Sequence, residues 1–417
     1  MRVSIISCVF RPEPVTSAIT SASLAEDLAT KGHYVTVIAP YPSRPNSEYF
    51  SRKQMALDVS LKGVSNVKRV YSIFRGSQRS IGRLIENITF GLTSTLAAIR
   101  SRPDVIYLNT WPIFAAFLTV ALSRIFTRAK IILSLQDMYP EAAVSIGVIK
   151  DNSFASWIMR QLDKWNGLHV TKIIVISQRM ATVYGETRPA IKGKIAVIPN
   201  WMDESRFIED VDVAKTRKAY CVPDGDTIIV YAGNVGEVAA VESVIDAARI
   251  SQQHDDKLFF IVAGGGARQN ACVQRAEGLR NIRFICPCGD EDLLECLSIA
   301  DAAVLPTKKG GALSSVPSKL LSYMFSGKPV IAAVDAESDT AQIISESQSG
   351  QIVSPEDSAS IHQSCKYFQE HVFERTQFGV NSKEYAIQHF GRPANTSKVI
   401  NLMRSCMDDD TQSAECP

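Results

Sequence analysis

The stretch VSIISCVFRPEPVTSAITSASLAEDLATKGHYVTVIAP, residues 3–40, decides the fold. It opens on the β-branched run VSIISCVF and closes on a second, YVTVIAP. Both runs are mostly apolar on both faces, the pattern of parallel strands buried between two layers of helices. The segment between them, SAITSASLAEDLATKGH, reads as a helix ended by Gly32. Strand, helix and strand in that order make a βαβ unit.

The alternation continues through VIYLNT, IILSLQD, KIIVIS and IAVIPN, so the first half is expected to be a doubly wound sheet. The pattern then restarts with TIIVYAGN, LFFIVAGG, IRFICP, AAVLPT, PVIAAV and SGQIVSP. Helical stretches such as EVAAVESVIDAARI and EDLLECLSIA lie between these runs. At 417 residues the chain is too long for one ordinary core. The expected architecture is α/β, with two Rossmann-like domains facing a cleft: residues 1–205, residues 206–390, and a closing helix (about 394–405) with a polar tail over 391–417. In such sheets ligands sit beyond the carboxyl ends of the strands.

Composition narrows the class. Hydrophobic residues at 46% and charged residues at 21% are globular values. The nine cysteines are scattered, with no C-x-x-C pair, and Cys286-Pro287-Cys288 reads as buried thiols rather than metal ligands. A cytosolic chain without disulfides is expected. No secretory signal is read at the start, and the most apolar segment, IFAAFLTVALSRIF, meets Arg124 well short of a membrane span. Net charge near +2 conceals a split: residues 1–205 have 25 Lys and Arg against 14 Asp and Glu, and the remainder has 20 against 29. Residues 52–102 hold ten of those basic side chains. A face this basic is either a solvated surface or one that meets anionic lipid or a phosphorylated partner. Aliphatic rather than aromatic interleaving argues against nucleic acid.

Four strand ends carry glycine or polar residues suited to chemistry. After the first strand comes the loop from Phe10 to Ala18, with Glu13, Thr16 and Ser17. After IILSL comes Gln136-Asp137-Met138-Tyr139-Pro140-Glu141, where a carboxylate at a strand end is a candidate base or hydroxyl binder. Ala232-Gly233-Asn234-Val235-Gly236 opens the second half as a candidate phosphate loop. The fourth is GGALSSVPSKLLSYMFSGKPVI, residues 310–331, with Lys308 and Lys309 just upstream. There a loosened loop feeds a helix N-terminus, whose first N–H groups are unpartnered and whose dipole is positive. Pro317 fits the first helical turn. Ala263-Gly264-Gly265-Gly266 lacks G-x-G-x-x-G phasing and reads as a plain strand–helix turn.

Taken together and in order, these residues resemble the bacterial glycosyltransferase family 4 enzymes of GT-B fold. The resemblance rests on the Pro-Glu loop with G-H-Y-V-T-V-I, the D-M-Y-P-E run, V-I-P-N-W-M-D, Y-A-G-N-V-G, I-A-D-A-A-V-L-P, V-P-S-K-L and G-K-P-V-I. The P-S-K form is most similar to the subfamily of N-acetyl-L-fucosamine transferases of O-antigen assembly. The resemblance implies a retaining transfer from a UDP-sugar held by the C-terminal domain to a polyprenyl-diphosphate-linked saccharide held by the N-terminal domain. The sugar would be an N-acetylated amino or deoxyamino sugar, and the setting lipopolysaccharide or other surface-polysaccharide biosynthesis. It implies no metal cofactor, and peripheral contact with an anionic membrane at the cytoplasmic face.

Carried over residue by residue, Ser318 and Lys319 would bind the diphosphate, with Ser314 also on the donor side, and Gly233, Asn234 and Gly236 would let the donor approach the backbone. Pro287 and Cys288 would hold the base through main-chain atoms. Asp137 and Glu141 would orient the acceptor hydroxyl or donor sugar, with Glu13, Thr16 and Ser17 on the acceptor side. The chain also departs from the family pattern. Relatives often have two glutamates seven residues apart where Ser314 and Ser322 stand here, Arg and Lys where Asn234 and Ala239 stand, and His at Gln136. Two alternatives keep the same fold: a UDP-N-acetylglucosamine 2-epimerase-like enzyme, which needs acid and base side chains in the cleft, or a non-catalytic subunit.

Overall fold

The computed structural model describes residues 1–13, 15–42, 61–64, 66–73, 80–109, 112–145, 149–207, 211–286, 290–311 and 316–414. Its contacts divide the chain into two units, Met1–Asn200 with Arg392–Pro417, and Trp201–Gly391.

The first unit is built on a seven-stranded sheet ordered β3-β2-β1-β4-β5-β6-β7, with every neighbour parallel. Its strands are β1 (Arg2–Ser7), β2 (Tyr34–Pro40), β3 (Asn66–Val70), β4 (Val105–Asn109), β5 (Lys130–Leu135), β6 (Lys172–Val175) and β7 (Ile195–Val197). Central β1, β2 and β4 are buried along almost their whole length, as their two-sided apolar runs require. The edge strand β3, NVKRV, has only Val70 buried, and that is why periodicity did not reveal it. The helices are α1 (Thr16–Thr30), α2 (Ser80–Ser101), α3 (Ile113–Phe126), α4 (Glu141–Ser145), α5 (Phe154–His169) and α6 (Gln178–Thr187).

The second unit repeats the plan with six parallel strands ordered β10-β9-β8-β11-β12-β13. These are β8 (Thr227–Ala232), β9 (Leu258–Ala263), β10 (Ile282–Ile285), β11 (Ala302–Pro306), β12 (Val330–Ala333) and β13 (Gly350–Val353). Its helices are α7 (Val213–Ala219), α8 (Val241–Gln253), α9 (Gln269–Arg275), α10 (Asp290–Ile299), α11 (Ser318–Phe325), α12 (Asp339–Ser347), α13 (Ser358–Glu370) and α14 (Val372–Phe390). In both sheets the strand order reverses beside the first strand, β1/β4 in one and β8/β11 in the other. Loops leaving the carboxyl ends of such a pair diverge and open a crevice.

Three expectations need correction. The closing segment is not a separate 391–417 piece, because α15 (Arg392–Ala414) belongs to the first unit. Arg392 donates to Asp27 at 2.7 Å and Glu26 at 2.9 Å on α1, and Val399, Ile400, Met403 and Cys406 form a buried stripe at helical spacing. The helix also runs on to Ala414, across most of the stretch expected to be a polar tail. Lastly, Cys286 is an exposed free thiol just past the edge strand β10, donating to Gln269 at 3.2 Å, while Cys288 lies outside the described residues.

Candidate functional site

In the second unit the crevice beside β8 and β11 is built on glycine. Gly233 follows β8 with φ +148°, and a Cβ there would stand 2.4 Å from Cε of Lys319. That close crossing is possible only without a side chain. Gly264, at φ +131°, would place a Cβ 2.1 Å from the Gly233 carbonyl oxygen, and Gly266 one 2.4 Å from that of Val235. The two loops are also stitched by backbone bonds: Gly233 N–H to Ala263 O at 2.8 Å, Val235 N–H to Gly265 O at 2.9 Å, and Arg268 N–H to Val235 O at 3.0 Å. The 264–266 run is therefore the buttress of the 233–236 loop rather than a plain turn. Three consecutive glycines at a strand end were the available signal. On the other side, Lys308 N–H donates to Val238 O at 3.0 Å and joins the loop after β11 to the same platform.

Lys319 stands at the centre. Pro317 is the extended cap residue of α11, one position before the first turn where it was expected, and Ser318 is the exposed first helical residue. The Lys319 ammonium donates to the Tyr231 hydroxyl and, at 3.2 Å, to Asn234 O, and lies 4.4 Å from the Tyr231 ring centroid. The Tyr231 hydroxyl donates in turn to Asn234 O at 2.6 Å. These partners are neutral, and burial lowers the Lys319 pKa from 10.5 to about 8. Nearby cations are paired instead: Lys308 with Glu237 at 3.7 Å and Arg268 with Glu242 at 2.8 Å. Ser322 points inward, 3.7 Å from the Met202 sulfur. Pro287, Cys288 and Ser314 lie outside the described residues.

In the first unit, polar residues collect at the carboxyl ends of β1, β4 and β5. Glu13 is buried and accepts the Phe10 N–H at 3.1 Å, so it organises the first loop instead of projecting from it. Thr16 and Ser17 open α1, and the Ser17 carbonyl accepts from Asn109 Nδ2 at 3.1 Å. A ladder of amides links the strand ends: Asn200 donates to Gln136 at 2.8 Å, Gln136 to Asn109 at 3.2 Å, and Asn109 to Ser21 at 2.7 Å. Sequence reasoning passed over Asn109 and Asn200, although each is a polar residue ending an apolar run. Gln136 fills the place of the family's histidine as a member of this ladder.

Asp137 is exposed at the rim of a small cavity shared with Leu133 and Leu135, and desolvation there raises its carboxyl above the usual range. Glu141 is not free: it accepts two bonds from Arg188 Nη2, at 3.2 and 3.3 Å.

Two family models match the chain, glycosyl transferases group 1 over residues 212–385 and glycosyltransferase family 4 over residues 18–206. Among curated proteins it is 28% identical over 358 residues to a putative colanic acid biosynthesis glycosyl transferase, WcaI of Escherichia coli K12, covering 82% of this chain and 86% of that one. It is 24% identical over 293 residues to a probable glycosyltransferase, WbjE of Pseudomonas aeruginosa, covering 68% and 70%. Among solved structures, HepE of Anabaena in complex with UDP superposes with a TM-score of 0.72 at 15% identity, covering 97% of this chain and 100% of that one. These matches support the broad family and not the finer N-acetyl-L-fucosamine assignment.

Proposed function

Because this chain is a glycosyltransferase of the GT-B fold, with both halves matched by family models, we propose that it transfers a sugar with retention from a UDP-sugar to a polyprenyl-diphosphate-linked saccharide during surface-polysaccharide biosynthesis. The observation that carries the donor half is Lys319. Its ammonium is held over a glycine platform at the switch point of the second sheet, with two of its three N–H groups used among the described residues. The third is left for an anion, beside the exposed Ser318 at the start of α11. As the glycosidic bond breaks, negative charge builds on the departing diphosphate. A preorganised ammonium in a partly desolvated site stabilises that charge more than it stabilises the ground state. No side chain is assigned as nucleophile. Asp137 would be the carboxylate that meets an acceptor hydroxyl, and metal independence is part of the proposal.

UDP is favoured by the UDP complex of the structural neighbour HepE, and polysaccharide by the colanic acid setting of WcaI. Membrane contact is supported by the layer of α2, α3 and α5. Leu84, Ile88, Leu92 and Leu96 form an exposed ridge on α2, with Ile125 and Phe126 ending α3, and Phe154 and Trp157 on α5. Arg83, Arg100, Arg124 and Lys164 are exposed on the same helices. Phe90 of α2 is buried and takes no part in the ridge. Among the described residues no helix is long and apolar enough to cross a membrane, so the contact proposed is peripheral.

A thermal-shift panel of UDP-, GDP- and ADP-sugars, run with and without EDTA, tests the donor half. A UDP-sugar at 100 times its Kd is expected to stabilise the fold by about 2.7 kcal/mol. Stabilisation by GDP- or ADP-sugars alone refutes the UDP choice. Conversion of UDP-N-acetylglucosamine to an epimer with no acceptor present favours the epimerase reading instead.

A further inference from the structure

We propose that Arg188 is a positioning residue that clamps the 137–141 turn, and with it Asp137, in the geometry the transfer reaction uses. The inference rests on the transferase reading for its second half only.

The turn leaves β5 over a void. A cavity of about 20 Å³ lies beneath it, lined by Leu133, Leu135, Asp137, Tyr139, Asp163 and Asn166. A cavity of that size means that the turn is not closely packed onto the residues beneath it at this point. Arg188 supplies what packing does not. It is a buried residue immediately after α6, and its guanidinium reaches three segments at once. Nε donates to Asp163 of α5. Nη2 donates to the Tyr139 carbonyl at 3.1 Å and to both oxygens of Glu141, the two ends of the turn's second half. Nη1 donates to Thr187 at 2.7 Å.

The clamp has its own foundation. Tyr184 is fully buried on α6, donates its hydroxyl to the second Asp163 oxygen at 3.1 Å, and lies with its ring 4.3 Å from the guanidinium carbon. Asp163, a carboxyl buried deeply enough for desolvation to lift it to about 6, is thus fixed from two sides. A planar fork with donors in three directions is what this arrangement demands, and a lysine's single nitrogen cannot reproduce it. Glu141, which the family resemblance placed at the substrate, is then an anchor of the turn. Asp137 is the member left facing outward.

The test uses the full chain as wild type, Arg188→Lys, Arg188→Met and Asp163→Asn. Hydrogen exchange of the 136–145 segment, UDP affinity, and UDP release from whichever UDP-sugar stabilises the wild type are measured together. Arg188→Met is expected to speed exchange of the 136–145 segment by about tenfold or more while β8 stays protected. UDP affinity is expected to hold within about twofold while kcat for UDP release falls on the order of 10²-fold, the effect of a small misplacement. Arg188→Lys and Asp163→Asn should fall between, since each leaves part of the fork engaged. Unchanged exchange in the Met variant overturns the clamp. Faster exchange with unchanged kcat overturns the positioning role. A wild type that releases UDP from no donor counts against the transferase reading, and the exchange result still decides the clamp.

Discussion

Removing the charge of Lys319 should make the free protein more stable at neutral pH and poorer at holding a diphosphate. The folded-state pKa of about 8, against 10.5 unperturbed, means the charged form is disfavoured in the fold by roughly 3 kcal/mol, all of it from desolvation. Between pH 8 and 10.5 the unfolded chain binds more protons at this site than the native one, so native stability gains as pH rises through that window. Below pH 8 the penalty is present in full, and above 10.5 it is gone. Lys319→Met has no such titration. The stability of the variant relative to the wild type should therefore fall by about 2 kcal/mol from about pH 7 to about pH 9.5, whatever the methionine costs in lost hydrogen bonds to Tyr231 and Asn234. For a domain of this size that is a change of about 4–8 °C in the Tm difference, well within reach of calorimetry. Other groups titrate alike in both proteins and cancel. In parallel, UDP affinity of the wild type should fall about tenfold per pH unit above about pH 8, while the variant's weaker affinity stays flat across the window. A Tm difference that is constant from about pH 7 to about pH 9.5 would refute the reasoning, since the ammonium would then not be desolvated.

Two other expectations follow from the same geometry. Gly233→Ala forces a Cβ to 2.4 Å from Lys319 Cε in a positive-φ backbone, so a loss of about 1–3 kcal/mol in urea unfolding and weaker UDP binding by calorimetry are expected. Vesicles rich in phosphatidylglycerol should float the protein at low salt and release it at about 0.5 M salt, as a basic surface would. The apolar part of that contact is the exposed ridge of Leu84, Ile88, Leu92 and Leu96, and failure to float at low salt removes the membrane proposal.

Legibility followed burial and sequence distance. Every strand with two apolar faces was read correctly, because burial between helix layers leaves no polar positions to blur the run. The strand β3 escaped because an edge strand with Lys68 and Arg69 needs only Val70 inside. The position of Lys319 at a helix start was legible because its signal is local, a Pro-Ser-Lys before an apolar run. Arg188 was not, since its partners lie 25, 47 and 49 residues back along the chain and no local pattern joins them. Tyr231 was hidden in another way: inside an apolar strand it reads as core, yet its hydroxyl carries the lysine. The alanine-flanked triple glycine was discounted for lacking a dinucleotide phase, when its role is to let two backbones touch.

The missing glutamates take on a different meaning once the charges of the second unit are laid side by side. Lys308, Arg268, Arg275 and Arg375 each have a carboxylate within 4.0 Å. Lys319, itself half-buried, has only a phenol and a carbonyl among the described residues. A buried cation with neutral partners is costly, because desolvation is not offset by an opposite charge. A carboxylate nearby would relieve that cost in the free protein and would then compete with any incoming anion. At position 322 none can act, since the serine faces the Met202 sulfur and the core. On the proposed donor reading, the cost is left standing until a diphosphate arrives, whose charge would both neutralise the ammonium and raise its pKa. Binding and proton retention would then be one equilibrium, and stability lost to the free fold at Lys319 would reappear as affinity for the anion.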